Sequence, residues 1–215
     1  LCAQLREDVG YEPKRFVYTS SSMVYGDFRY SPADEDHPRQ PTNLYGTVKL
    51  AGEEVTLGLC RVYGIKGTVI RPSAVYGPSD MNRRVTQIFI EEAIAGRPLV
   101  VRGAEERLDF TYVEDTARGF VLAATREAGI GQIFNITSGH AHTLLEYAEV
   151  LRRHFPDLKV EIRTRDTSRP ARGTLAIERA RQLLGYAPEW NLERGIAAYV
   201  DFLRQHRGSA TEVAP

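Results

Sequence analysis

Cysteine is scarce: Cys2 and Cys60 are the only two in 215 residues. That is too few for a disulfide framework, and neither has a second cysteine at metal-ligand spacing, so the pattern reads as that of a reducing, cytosolic compartment. A charge excess is also missing. Lys plus Arg total 28 and Asp plus Glu total 28, which leaves no basic footprint for a nucleic-acid or polyanion partner. No apolar run approaches the roughly 18 residues of a membrane span. The opening stretch Leu1 to Asp8 has the wrong order of charge and apolarity for a signal peptide. His37, His140, His142, His154 and His206 show no metal-ligand spacing, so no metal is expected. An initiator methionine is absent too. The chain opens inside an apparent amphipathic helix, Leu1 to Val9, and a preceding segment is expected.

What is present is ordinary globular composition, 42% apolar and 26% charged, in a length suited to one large domain or two small ones. Lys14 to Ser20 is a short β-rich run ending in small hydroxyl residues, a buried strand with a polar end. Residues 21 to 43 form a long loop of the kind that usually carries function. The spacing of Leu44, Val48, Ala51, Val55, Leu59 and Val62 predicts a helix to about Tyr63, ended by Gly64. Gly67 to Pro72 is a second buried strand. Helices are predicted over about Arg84 to Ala95, Val113 to Arg126, Thr143 to His154, Ile177 to Leu184 and Leu192 to His206. Strands fall at Leu99–Val101, Gln132–Ile136 and Lys159–Arg163. Thr143 and Glu146 have capping-box spacing, and Asn191 stands as an N-cap. Residues 208 to 215 read as a frayed tail. Trp190 and Tyr199 read as packing residues. The alternation makes the class α/β with a mainly parallel sheet.

Tyr45 and Lys49 are four apart at the start of a helix, which puts both on one face. A phenol with a pKa near 10 is a poor base, and a nearby ammonium favours its ionised form. Such a pair can move a proton on an alcohol or carbonyl, although the same spacing also occurs on ordinary solvated helix faces. Ser20, Ser21 and Ser22 lie upstream at a strand end, where ligands collect in open α/β sheets; simple turn chemistry also places serines there. Met23-Val24-Tyr25-Gly26, Glu53 and Arg71-Pro72-Ser73-Ala74-Val75-Tyr76-Gly77-Pro78 follow in one order.

In combination these stretches resemble the extended short-chain dehydrogenase/reductase family, the NAD-dependent nucleotide-sugar epimerases and dehydratases, from Leu1 to about Phe202. Asp109 to Asp115 and Leu183 to Pro188 also match. The resemblance implies a Rossmann-like doubly wound parallel sheet holding NAD or NADP, and a smaller α/β domain holding a nucleotide sugar. Residues 1–77 would form the second half of the Rossmann domain, with 109–136 returning to it; 78–108 and 137–207 would form the substrate-binding part. Tyr45 matches the catalytic tyrosine. Lys49 matches the lysine that binds the nicotinamide ribose and tunes that tyrosine, and Pro72 is placed beside them at the cofactor. Ser21 matches the residue that hydrogen-bonds the reacting oxygen, and Ser22 is placed at the substrate. The family's glycine-rich turn does not occur in these residues; roughly 100 residues, at 30 or more per βαβ unit, are expected before Leu1. The chain alone is therefore expected to be inactive, and a non-catalytic Rossmann fragment stands as an alternative for it.

Dehydratases of this family resemble one another in an acidic residue just after the catalytic serine or threonine. Here Ser22 and Met23 stand there, which disfavours loss of water and favours an epimerase; a one-way ketoreductase or dehydrogenase uses the same set. Many relatives carry an Asn at the place of Ala74 and an Arg at the place of Leu108, where here Arg107 is displaced by one and faces the other side. Arg84 and Arg169 are the candidates for a substrate diphosphate, since guanidinium forks suit phosphate; ordinary solvated charges are the alternative. Gly46, Gly52 and Gly58 imply close packing on one helix, or tolerated surface glycine. Relatives often dimerise through this helix and the preceding one, so a homodimer is expected.

Overall fold

The computed structural model describes residues 15–80, 82–167 and 169–206. The expected helix Leu1 to Val9 and the tail 208–215 lie outside them. Three parallel strands form the central sheet in the order β1–β2–β7: β1 is Phe16–Thr19, β2 Gly67–Pro72 and β7 Ile133–Ile136. Phe16 pairs with Gly67 and Val69 with Ile133. β2 lies between two neighbours and is buried through its first five residues, as a central parallel strand covered on both faces is. Helix α1, Leu44–Tyr63, connects β1 to β2; α3, Val113–Thr125, leads to β7. The expected parallel α/β architecture is present.

Two-residue strands β3 (Val75–Tyr76) and β6 (Thr111–Tyr112) pair in parallel, as do β4 (Leu99–Arg102) and β9 (Val160–Arg163); β5 (Arg107–Leu108) and β8 (His142–Thr143) are antiparallel. Around them pack α2 (Val85–Ile94), α4 (Leu144–Arg152) and α6 (Leu192–Gln205). The capping box at Thr143 and Glu146 forms in both directions, and Asn191 caps α6 by accepting from the Arg194 N–H at 2.9 Å.

The buried side chains fall into two large clusters. One gathers Tyr76, Phe89, Phe110, Tyr112, Tyr147, Ile196 and Tyr199. Trp190 packs on its edge, stacked on Tyr112 with ring centroids 4.0 Å apart. The other joins Ile70, Phe134 and Ile136 of the central sheet to Ile177, Ala180, Leu184 and Tyr186. Helix α5, Glu178–Leu184, thus packs on the central sheet, although it lies within the 137–207 stretch read as substrate-binding.

Two buried carboxylates stitch loops to this frame. Asp109 accepts from the Ser138 N–H (2.9 Å) and hydroxyl (2.6 Å), the Thr137 hydroxyl (3.1 Å) and the Leu175 N–H (3.2 Å). Burial raises its carboxyl above the usual range, against the pull of these donors. Asp115 accepts from the backbone N–H groups of Glu189 and Trp190.

Two glycines should respond in opposite ways. A Cβ at Gly195 would collide with the Tyr76 phenol, whose ring is buried among Phe110, Tyr112 and Tyr147. Gly195→Ala should therefore lower stability by about 1–3 kcal/mol through overpacking, less the helix-propensity gain of up to about 1 kcal/mol. A Cβ at Gly58 meets nothing, so Gly58→Ala should raise stability by up to about 1 kcal/mol. Thermal melts of the two variants check both signs.

Candidate active site

The site is built where α1 meets the end of β1. Asn43 starts the helix by accepting from the Gly46 N–H at 2.9 Å. Gly64 ends it in the left-handed region, φ 64°. Tyr45, Lys49 and Glu53 recur every four residues along one side. Lys49 donates through Nζ to the Thr19 carbonyl at 2.9 Å, and the Ser20 hydroxyl donates to Glu53 Oε1 at 2.5 Å. Two successive turns of α1 are thereby clipped to the last residues of the β1 run. Tyr45, one turn earlier, is 54% exposed, open to a ligand. The Lys49 ammonium lies 5.7 Å from the Tyr45 ring centroid and 5.6 Å from that of Tyr18. Burial raises the Tyr18 phenol above its ordinary value, with Glu53 and Tyr45 adding to the effect.

Ser21 follows immediately. It caps a 3-10 turn, Ser22–Tyr25, and its Oγ accepts from the Met23 N–H at 3.2 Å. Ser22 is buried. This turn lies directly against α1: a Cβ at Gly46 would stand 2.5 Å from the Met23 carbonyl oxygen, and one at Gly52 would collide with the Tyr18 phenol. Close approach explains Gly46 and Gly52; Gly58 faces open space. The apolar stripe that marked the helix points the other way. Leu44, Val48, Val55, Leu59 and Val62 are exposed, while Gly46, Glu53 and Thr56 are buried. The inner face needed small and polar groups to reach the turn.

Beneath the turn is a buried ionic network. Glu53 and Arg71 have fully buried side chains and form a forked pair, Nη2–Oε2 2.6 Å and Nε–Oε1 2.8 Å. Arg71 Nη1 also donates to the Tyr25 phenol oxygen at 2.9 Å and the Glu35 carbonyl at 3.0 Å. The Tyr25 hydroxyl donates to Asn135 Oδ1 at 2.7 Å, and the Asn135 N–H donates to Glu35 Oε1 at 2.8 Å. Burial alone would lower the Arg71 guanidinium; its hydrogen bonds to Glu53 outweigh that and hold it above its ordinary value. In the sequence Glu53 and Arg71 stand only as signature positions. An arginine within a run that reads as a buried strand is the signal that an acid faces it.

The remaining expected site residues are scattered. Pro72 is half-buried at the end of β2. Arg84 is exposed ahead of α2 and donates to the Val75 carbonyl at 3.2 Å. Arg169 is exposed between β9 and α5, 3.5 Å from Asp166. Among the described residues no hydrogen bond or ion pair joins Arg84 and Arg169 to each other or to Ser21, Tyr45 and Lys49. Arg107 is exposed and Leu108 buried, so the two do face opposite sides of β5. Ala74 has a positive φ of 38°, a conformation that an asparagine adopts more readily.

The residues present fit one end of a dinucleotide. An exposed phenol and an ammonium at the carboxyl end of a parallel strand suit a nicotinamide ribose, while the glycine-rich turn for the pyrophosphate is not among these 215 residues. A parallel α/β sheet thus gathers Ser21, Tyr45 and Lys49 at a strand end, the place where ligands collect in this architecture. The chain belongs to the NAD dependent epimerase/dehydratase family, which it matches over residues 2–137. It is 34% identical to a UDP-glucose 4-epimerase of Mycolicibacterium smegmatis over 203 residues, 89% of this chain and 63% of the relative. It is 28% identical to a dTDP-glucose 4,6-dehydratase of an Actinoplanes species over 210 residues, 96% of this chain and 64% of the relative. A crystal structure of UDP-glucuronic acid 4-epimerase from Bacillus cereus, in complex with UDP-glucuronic acid and NAD, superposes with a TM-score of 0.85 at 26% identity. The match covers 95% of this chain and 66% of that one. The chain spans from somewhat under half to about two thirds of the length of the curated relatives it matches.

Proposed function

We propose that the whole protein is an NAD(P)-dependent nucleotide-sugar epimerase. The observation that carries this reading is the clip of α1 onto the end of β1, which sets Tyr45 and Lys49 beside the turn capped by Ser21. In this reading Tyr45 takes the proton from a sugar hydroxyl and later gives it back, and Ser21 holds the same oxygen by a hydrogen bond. Lys49 holds the nicotinamide ribose and Pro72 lies beside it. Ser22 lines the sugar. Bound there, NAD would supply the hydride acceptor and donor for the carbon bearing that hydroxyl. Arg84 and Arg169 are the proposed holders of the diphosphate.

The positions after Ser21 decide the reaction type. Ser22 is a poor acid and the Met23 thioether is none, so this stretch supplies no carboxyl group to eliminate water. The protein should therefore interconvert two isomers of equal mass without accumulating NADH. Mass spectrometry after incubation with a panel of nucleotide sugars tests this. A product lighter by one water overturns the epimerase reading; net NADPH use with a gain of two hydrogens moves it to a ketoreductase. The 215-residue chain by itself is expected to bind NAD weakly, since it has no phosphate-cradling turn, and micromolar binding in calorimetry would contradict that.

The exposed stripe Leu44, Val48, Val55, Leu59 and Val62 supports a homodimer built on α1. No helix among the described residues is long and apolar enough to cross a membrane. The small number of cysteines supports a cytoplasmic location.

A further inference from the structure

Tyr18 and Ser20 are two apart along the β1 run, so both side chains leave it on the side that faces α1. Ser20 reaches Glu53 there. Tyr18 reaches the preceding turn of the helix: its hydroxyl donates to the Lys49 carbonyl at 3.4 Å and lies against Gly52, where a Cβ would collide with it. Burial holds the phenol above its ordinary value, so the hydroxyl keeps the proton that it donates. The backbone of Tyr18 is fixed as well, since it stands opposite Val69 in the parallel ladder of β1 and β2. Tyr18 is thus a half-buried ring held at both ends, on a different element from Tyr45 and Lys49.

The ammonium that it faces is less well anchored. Lysine carries its charge on a flexible four-carbon stem. The bond from Lys49 Nζ to the Thr19 carbonyl uses one of the three donors. One hydrogen bond fixes a distance and leaves the charge free to swing about its acceptor. Two rings limit that swing: Nζ lies over Tyr18, 5.6 Å from the centroid, and over Tyr45 at 5.7 Å. Both distances are within the range in which a ring face attracts a cation. Tyr45 is exposed and makes no hydrogen bond to a described residue, so the fixed wall is Tyr18.

We propose that Tyr18 is a positioning residue for Lys49: its ring holds the ammonium at the strand end and leaves the two remaining donors for the hydroxyls of a nicotinamide ribose. The inference rests on the reading of Lys49 as the holder of that ribose. It gives a role to β1 itself, where the sequence marks only the serines that follow.

The test uses the whole protein. In the ligand-free state, the ε-methylene resonance of isotope-labelled Lys49, assigned by its loss in Lys49→Met, should move toward ordinary lysine positions in Tyr18→Leu as the ring current disappears, and stay displaced in Tyr18→Phe. Calorimetric titration with NAD or NADP, whichever binds tighter, should show binding roughly 2- to 30-fold weaker in Tyr18→Leu, the range of one contact between a cation and a ring. Tyr18→Phe should keep most of the affinity. In a Lys49→Met background the Leu change should cost nothing further, a result that a ring serving only to pack β1 on α1 would not give. Additive effects of the two changes overturn the inference. So does wild-type affinity in Tyr18→Leu, a Phe variant as weak as the Leu variant, or a Lys49 resonance that Tyr18→Leu leaves in place. Should the Leu variant fail to fold, Tyr18→Met takes its place in every comparison. Activity separates the two readings. A protein that binds NAD through coupled Tyr18 and Lys49 yet isomerises no nucleotide sugar keeps this role and loses the epimerase. One that isomerises them with Tyr18→Leu unaltered in affinity does the reverse, and one that binds neither NAD nor NADP loses both.

Discussion

Tyr45→Phe should lower kcat by about 100- to 10,000-fold, the usual contribution of a positioned proton carrier, with the melting temperature unchanged. The hydroxyl makes no hydrogen bond to a described residue, and the ring is more than half exposed, so its removal takes nothing from the fold. The contact between the Lys49 ammonium and the ring, at 5.7 Å, survives the change. Steady-state assay on the nucleotide sugar that the wild type isomerises, beside a thermal melt, separates the two effects. Retention of more than a tenth of the activity would put the proton on another group.

Arg71→Met should be the most destabilising single change in the site. It leaves the Glu53 carboxylate buried with only the Ser20 hydroxyl, and strips a donor from both the Tyr25 phenol and the Glu35 carbonyl. Breaking a buried pair from one side costs about 3–5 kcal/mol. In a chain of this size that is roughly 2–4 °C of melting temperature per kcal/mol. The double variant Arg71→Met, Glu53→Leu removes both charges and should recover much of the loss. A strictly additive double variant, measured by denaturant titration, would show that the pair is not coupled. Activity should fall with the single change as well, because Glu53 also holds Ser20, the residue before Ser21.

The sequence made the helices legible where capping and period agreed. Leu44 to Tyr63 has the expected bounds because Gly64 closes it in the left-handed region, and the Thr143–Glu146 box forms as its spacing requires. Ser21, Tyr45 and Lys49 could be picked out because their order along the chain matches a known pattern. The direction in which α1 faces could not. Period 3.6 reports that an apolar stripe exists, not what it meets, and here the inward side is Gly46, Glu53 and Thr56. The two-residue strands β3, β5, β6 and β8 are too short to carry an alternation. Arg71 and Glu53 are 18 residues apart, and the acid that neutralises a buried cation is set by packing rather than by spacing.

Asp109 and Asp115 have a consequence for how the molecule opens. They lie six residues apart on one stretch, and each grips main-chain N–H groups that belong to no helix or strand: Ser138 and Leu175 for the first, Glu189 and Trp190 for the second. Loop amides ordinarily exchange with solvent deuterium through small local openings. These four cannot be released without undocking a carboxylate that is itself fully buried. Their exchange should therefore follow the larger unfolding of the sheet and the aromatic cluster on either side, and they should stand out as slow positions within otherwise fast-exchanging connections.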